Sequence, residues 1–285
     1  MCDSTLAIYC FIDDFLKVSG HKEDCRVEVT DSEVITIALT AMLQFGGNFE
    51  RSRLVLYELG LMKRLLSPSR VSRRINGLTD LIHLLFHRLG MVLKHLHWES
   101  RYLLDSFPVP VCDNIRIGRS RIVSDKRYRG AMTSFRRYFY GVRVQILTTS
   151  DGIPVEFCIL PGACSDLQGL AELVLDLPDE AQLFVDGGYN FYAWEDYLLA
   201  EKELRLQVRR KSNSKRAREP WLEMHKSLVR KYIETTIGEI GKLFPKKIHA
   251  TNLNGFLLKI ALFLFAYQIE RLLFSNWQLG LSSFL

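Results

Sequence analysis

Tyr102-Leu103-Leu104-Asp105-Ser106-Phe107 places a carboxylate inside an apolar run, and the fold turns on how that run is read. It reads as a short buried strand, closed by Pro108 and Pro110. Asp105 is flanked by Leu103, Leu104 and Phe107, where an ionised group is costly unless it is paired or bound to a metal. It is therefore a candidate functional residue. Working outward, residues 138–149 are rich in aromatic and β-branched side chains, and Ser150-Asp151-Gly152 is a turn signal. Residues 153–160 follow as a second strand of a hairpin, broken by Pro161-Gly162. Asp166 can cap a helix carrying Leu167, Leu170, Leu173 and Val174. Residues 181–185 form a short apolar strand ending at Asp186-Gly187-Gly188. A helix is expected over 191–201, a last strand over 204–208, and two long helices over 221–243 and 253–274.

The order is strand, hairpin, helix, strand, helix, strand, helix. That predicts an α/β chain with a mixed sheet and helices on its faces, the element order of a ribonuclease-H-like fold. The residues before this core read as helices. Thr30 or Asp31 starts one that runs through Val34, Ile37, Ala38, Ala41 and Met42 to Gly46-Gly47. Another starts near Ser67-Pro68-Ser69. His83 and His87 lie one helical turn apart, a possible metal-ligand spacing, but no further ligand accompanies them. The expected division is a helical domain over 1–98 and a mixed-sheet core over 99–285.

Charge narrows the function. The net charge is +6, but residues 116–143 hold nine Arg or Lys against Asp125, and residues 205–231 hold ten against Glu219 and Glu223. Concentrated basic charge of this kind is what a polyanion meets. Arg116, Arg119, Arg121, Lys126, Arg127, Arg129, Arg209, Arg210, Lys211 and Arg230 are the candidate DNA contacts. The start of the chain lacks the basic region of a signal sequence, and no cysteine pair has CxxC spacing, which points to a reduced cytosolic protein. Residues 256–274 are apolar, but Lys259, Gln268, Glu270 and Arg271 interrupt them. The uninterrupted part falls short of the ~20 residues that span a bilayer.

Cleaving or joining DNA strands is in-line attack on a phosphodiester, and two hard metal ions ~3.5–4 Å apart neutralise the charge that develops. Such ions take carboxylate oxygens, so distant carboxylates must converge. Asp105 inside one strand, Asp186 at the end of another and Glu234 on a helix after the last strand are the candidates, as catalytic residues and as ligands of Mg²⁺ or Mn²⁺.

Several blocks then resemble one known family, in the right order and over most of the chain. They are Tyr9-Cys10-Phe11-Ile12-Asp13-Asp14-Phe15, Leu104-Asp105-Ser106-Phe107-Pro108-Val109-Pro110-Val111-Cys112 with Asn114 and Arg116, and Tyr140-Gly141-Val142-Arg143-Val144. After these come Leu160-Pro161-Gly162-Ala163 followed by Asp166, then Val185-Asp186-Gly187-Gly188-Tyr189, and Ile233-Glu234-Thr235. Together they resemble the IS982 family of bacterial insertion-sequence transposases of the DDE type. The resemblance implies a ribonuclease-H-like core, a divalent metal and insertion-sequence DNA ends as substrate. It also implies double-stranded target DNA, a homo-oligomer on the DNA ends and a cytoplasmic, nucleoid-associated site of action, with no membrane; the helical domain over 1–98 would then serve DNA-end recognition or dimer contact, and 99–285 would be the catalytic core. Arg230 stands before Glu234 as the family pattern asks. Gly241 and Gly187 stand where a Lys is expected, and Ser227 where a Tyr is. A catalytically degenerate DNA-binding derivative, or a metal-dependent nuclease without joining activity, has the same sequence features.

Overall fold

The computed structural model describes residues 2–132, 137–210, 214–216 and 219–274. The chain divides into two compact units. The first takes in residues up to Leu85 and those from Ile240 on, and the second runs from Phe86 to Glu239. The division falls inside two helices, α5 (Thr79–Leu96) and α8 (Pro220–Leu243).

The first unit is helical. It contains α1 (Cys2–Val18), α2 (Asp31–Phe45), α3 (Phe49–Glu58), α4 (Pro68–Gly77) and α9 (Leu253–Phe274), with the adjoining parts of α5 and α8. Helix α1 buries Thr5, Ile8, Ile12 and Leu16, a spacing of three or four that sets one face to the core. A capping box starts α2: the Thr30 hydroxyl accepts from the Glu33 amide and the Glu33 carboxylate accepts from the Thr30 amide. Gly46, in the left-handed region, ends it. Ser67 caps α4, with Pro68 in its first turn. Helix α9 is buried on nearly every side from Ile260 to Ile269. An all-round apolar helix needs partners on all faces, and Phe263 packs on Gly47 at the end of α2. Packing thus groups α9 with the N-terminal helices, a different grouping from a cut after residue 98. No described helix is long and apolar enough to cross a membrane.

The second unit is built on a mixed sheet. Its strands are β1 (Arg101–Asp113), β2 (Arg129–Met132), β3 (Arg137–Thr149), β4 (Pro154–Pro161), β5 (Gln182–Val185) and β6 (Arg205–Val208). Strand order is β2-β3-β1-β5-β6, and β4 pairs with β3 beyond the end of β2. Pairings of β1, β2 and β4 with β3 are antiparallel; β1 with β5 and β5 with β6 are parallel. Helix α6 (Asp166–Glu172) follows β4, and α7 (Tyr192–Lys202) makes the crossover from β5 to β6.

Three features depart from the sequence reading. Pro108 and Pro110 do not close β1, which runs on to Asp113 and pairs Pro108 with Arg143 and Pro110 with Gly141. Beyond Leu103 no pairing with β5 is made, so that side of β1 is an edge, where a strand tolerates proline. The cap of α6 is Ser165, whose hydroxyl accepts from Gln168, and this leaves Asp166 in the first turn with its carboxylate free to act elsewhere. Strand β2, within the first basic stretch, was not expected.

The body of the second unit is held by a buried ion pair. Lys94 Nζ lies 2.8 Å from Glu156 Oε2, with both side chains almost wholly enclosed, and Glu156 also accepts from the Leu175 amide. A Cβ on Gly90 would stand 2.1 Å from the Val155 carbonyl oxygen, so α5 lies directly on β4 there and only glycine fits. His87 stacks on Phe157 in the same layer, and burial pushes its pKa down. It is a packed core histidine.

Candidate metal and phosphate-chemistry site

Strand pairing brings the two aspartates together. The parallel register of β1 with β5 sets Leu103 opposite Phe184. Carried two residues further, it sets Asp105 across from Asp186, at the carboxyl end of β5 where strands of such sheets present ligand sites. Asp186 begins the short 3₁₀ turn Gly187–Tyr189 but makes no side-chain cap bond. Its carboxylate faces α8 instead.

Helix α8 supplies the other members, one turn apart. The Arg230 guanidinium lies 2.8 Å from Asp186, 3.6 Å from Asp105 and 3.2 Å from Glu234. Three carboxylates distant in sequence thus share one arginine. Asp105 is the most enclosed of them, with 19% of its side chain exposed against 43% for Asp186 and 57% for Glu234. Burial pushes the Asp105 carboxyl up to about 6. The Ser106 amide and Arg230 pull the other way, and Asp186 and Asp166 add to the rise.

A second layer supports Asp105. Ser106 donates its amide to Asp105 and its hydroxyl to Asp166, at 2.8 and 2.6 Å. Arg143 on β3 bridges Ser106 and Asp166 at 3.2 and 3.1 Å. Gln145, two residues along β3, donates to the Tyr189 hydroxyl at 2.7 Å and to the Asp166 carbonyl. Tyr189 lies next to the Asp186 turn and is fully buried. The network therefore ties β1, β3, α6 and the end of β5 together. Four carboxylates here meet two guanidiniums, an excess of negative charge that favours a cation.

The donors fit a hard divalent ion in kind, since carboxylate oxygens are what Mg²⁺ and Mn²⁺ take. The three carboxylates converge on the Arg230 guanidinium and do not close on one another. The one described His, Cys, Asp and Glu group whose ligand atoms all lie within 4.8 Å is His21, Glu23 and Asp31, in the first unit. There, Asp31 is already held by His21 and by Arg74.

The basic residues fall into different classes. Arg119, Arg121, Lys126, Arg127, Arg129 and Arg209 are exposed. Arg127 lies over the Tyr128 ring and Arg129 over that of Tyr138. Arg210 is enclosed against Glu195, and Arg216 binds the same carboxylate and Asp196. Arg230 is engaged by the acidic site. The Arg116 side chain and Lys211 lie outside the described residues. Sequence reasoning left Arg143 and Asp166 unassigned as site residues. The signal for them was faint: an arginine within an apolar strand, and an aspartate that another residue caps.

A sheet that sets a carboxylate of β1 beside one at the end of β5, with basic side chains exposed nearby in sequence, defines a protein class suited to metal-assisted phosphate chemistry. Residues 97–251, more than half of the chain, match the family model described as "Transposase DDE domain", and the chain belongs to that family. Among solved structures it is similar to a piggyBac transposase synaptic complex with hairpin DNA, at 12% identity and a TM-score of 0.44, over 93% of this chain and 72% of that one. It is also similar to a Mos1 transposase paired-end complex with the left transposon end, at 10% identity and a TM-score of 0.23, over 79% and 82%. Those likenesses are loose, and the family match carries the assignment. No curated protein sequence matches the chain.

Proposed function

We propose that the chain is a DNA transposase that cleaves and transfers strands at insertion-sequence ends, with Asp105, Asp186 and Glu234 holding Mg²⁺ or Mn²⁺. The observation that carries this reading is the meeting of those three carboxylates around Arg230. The strand pairings, three antiparallel and two parallel in one six-stranded sheet, support a ribonuclease-H-like core. The bound ions supply Lewis-acid charge for in-line transfer of a phosphodiester.

The chain's own groups do the rest. Arg143 and Asp166 fix Ser106, and the Ser106 amide fixes the Asp105 carboxylate. Arg230 neutralises the acidic cluster, and its guanidinium would be released for a phosphate oxygen once the three carboxylates hold a metal cation. Exposed arginines of the two basic stretches hold the DNA backbone with little regard for sequence. The protein acts on double-stranded DNA as a homo-oligomer on its element ends, in the cytoplasm at the nucleoid.

A second reading, a DNA-binding derivative that has lost catalysis, is favoured by one observation: Arg230 stands where the carboxylates meet. Incubation with the element ends and Mg²⁺ separates the two. Nicked and joined products support the transposase, whereas tight binding without either product supports the derivative.

A further inference from the structure

The first unit contains two adjoining clefts of about 340 and 360 Å³ that share Phe49, His249 and Lys259 in their walls. Lys259 is the exception in α9, standing next to the buried run from Ile260. Burial pushes its pKa down. Among the described residues its one hydrogen bond is to the Gly47 carbonyl, at 3.1 Å, and it forms no ion pair. Its ammonium also lies 4.9 Å from the centre of the Phe49 ring. An ammonium has three donors, so two remain for the clefts.

The nearby acid does not serve it. Glu50 lines the first cleft but is held by Arg53, whose Nε lies 2.9 Å from Glu50 Oε2. Among the described residues no other carboxylate lines either cleft, while Arg73, whose Nε alone is given to the Ser69 carbonyl, brings further donors to the second. A half-buried cation without a counter-ion is unfavourable, and an anion in the cleft relieves it.

We propose that these clefts form a phosphate-binding site that takes one backbone phosphate of the DNA, with Lys259 at its base and Arg73 and His249 on its walls. The choice of DNA as the source of the phosphate rests on the transposase reading. The site itself rests on the cleft and its unpaired lysine. Held there, a strand gains an anchor on the helical unit, far in sequence from the carboxylates.

The test uses the full chain as wild type, Lys259→Met, Lys259→Arg and Arg73→Gln. Inorganic phosphate, against chloride at matched ionic strength, should raise the melting temperature of the wild type. Lys259→Met should lose that rise while melting no lower than wild type without phosphate, and Lys259→Arg should retain part of it. On DNA, Lys259→Met should lower the slope of log affinity against log salt by roughly 0.9, the value of one phosphate contact. If Lys259→Met does not fold, Arg73→Gln, an exposed change on the cleft wall, reads the same two quantities. A phosphate rise undiminished in the variants overturns the site. Loss of the rise with an unchanged DNA slope overturns DNA as its ligand. Absence of DNA binding by every form, with the wild-type phosphate rise intact, overturns the transposase reading and with it the DNA source.

Discussion

Two groups of acids in the second unit are solved in opposite ways. Glu195 is enclosed and has two arginines, Arg210 and Arg216, for its one charge. Asp105, Asp186 and Glu234 share Arg230, and only Asp105 among them is well enclosed. The first arrangement is closed electrostatically and anchors the segment after β6 to α7. The second leaves excess negative charge at a strand end, a state that stability alone does not select. Uneven pairing of this kind separates the scaffold from the candidate site, and it can be broken experimentally at several points.

The largest effect is expected on cleavage. Asp105→Asn, Asp186→Asn and Glu234→Gln should each reduce Mg²⁺-dependent strand cleavage by on the order of 10³-fold or more, because metal charge at the transition state is worth several kcal/mol and each ~1.4 kcal/mol is tenfold. DNA affinity should stay within a few-fold. Glu239→Gln, five positions on and about 140° around α8, should leave cleavage largely intact. Cleavage by the Glu234 variant at the wild-type rate would remove Glu234 from the site.

A closed pair should respond in stability instead. Glu156→Gln leaves Lys94 buried without its carboxylate, and breaking a buried pair from one side costs about 3–5 kcal/mol. The urea midpoint should fall with an unchanged slope, and the folded fraction should cleave DNA normally. A midpoint within experimental error of wild type would show that the pair contributes little to the scaffold.

Asp105 also gives the open site a pH signature in the metal-free protein. Its folded pKa, about 6, lies above the ordinary value of 3.8, so the folded state holds the proton more tightly than the unfolded one. The resulting stability is fully present below about pH 4 and is lost as pH rises through about 6. The difference between the two values corresponds to about 3 kcal/mol. Wild type should therefore lose more stability than Asp105→Asn between pH 4 and 7, read from urea midpoints at each pH. Parallel curves for the two proteins would remove the effect from Asp105.

Most elements were legible because their signals are local. The helix start at Thr30 or Asp31, the turn at Gly152 and the apolar runs of β1, β5 and α9 each announce themselves within a few residues. Asp105 was legible because a carboxylate among Leu103, Leu104 and Phe107 contradicts its surroundings. What was hidden depends on pairing. Proline punctuates a strand only when both its sides are paired, so the length of β1 could not be read from Pro108 and Pro110. Asp166 matters because β1 and β3 bring Ser106 and Arg143 to it, and no local pattern encodes that meeting. The separate surroundings of Arg209 and Arg210 are equally invisible in a run of basic residues.

That adjacent pair supplies the finest test of the comparison. Arg209 and Arg210 were alike as candidate DNA contacts. In the structure Arg209 is exposed, while only 8% of the Arg210 side chain is accessible and its guanidinium binds Glu195. An enclosed arginine is held back from a phosphate, since leaving Glu195 would give up a two-point pair at 2.7 and 2.5 Å and leave a carboxylate that is 6% exposed to Arg216 alone. An exposed arginine on a flanking residue pays no such penalty. Arg209→Gln should lower the salt slope of DNA binding by roughly 0.9, one phosphate contact, and leave the melting temperature unchanged. Arg210→Gln should do the reverse, with an unchanged slope and a lower melting temperature, moderated because Arg216 still holds Glu195 at 2.8 Å. Equal loss of slope in both variants would mean that Arg210 leaves Glu195 when DNA binds, and the closed cluster would then belong to the DNA interface.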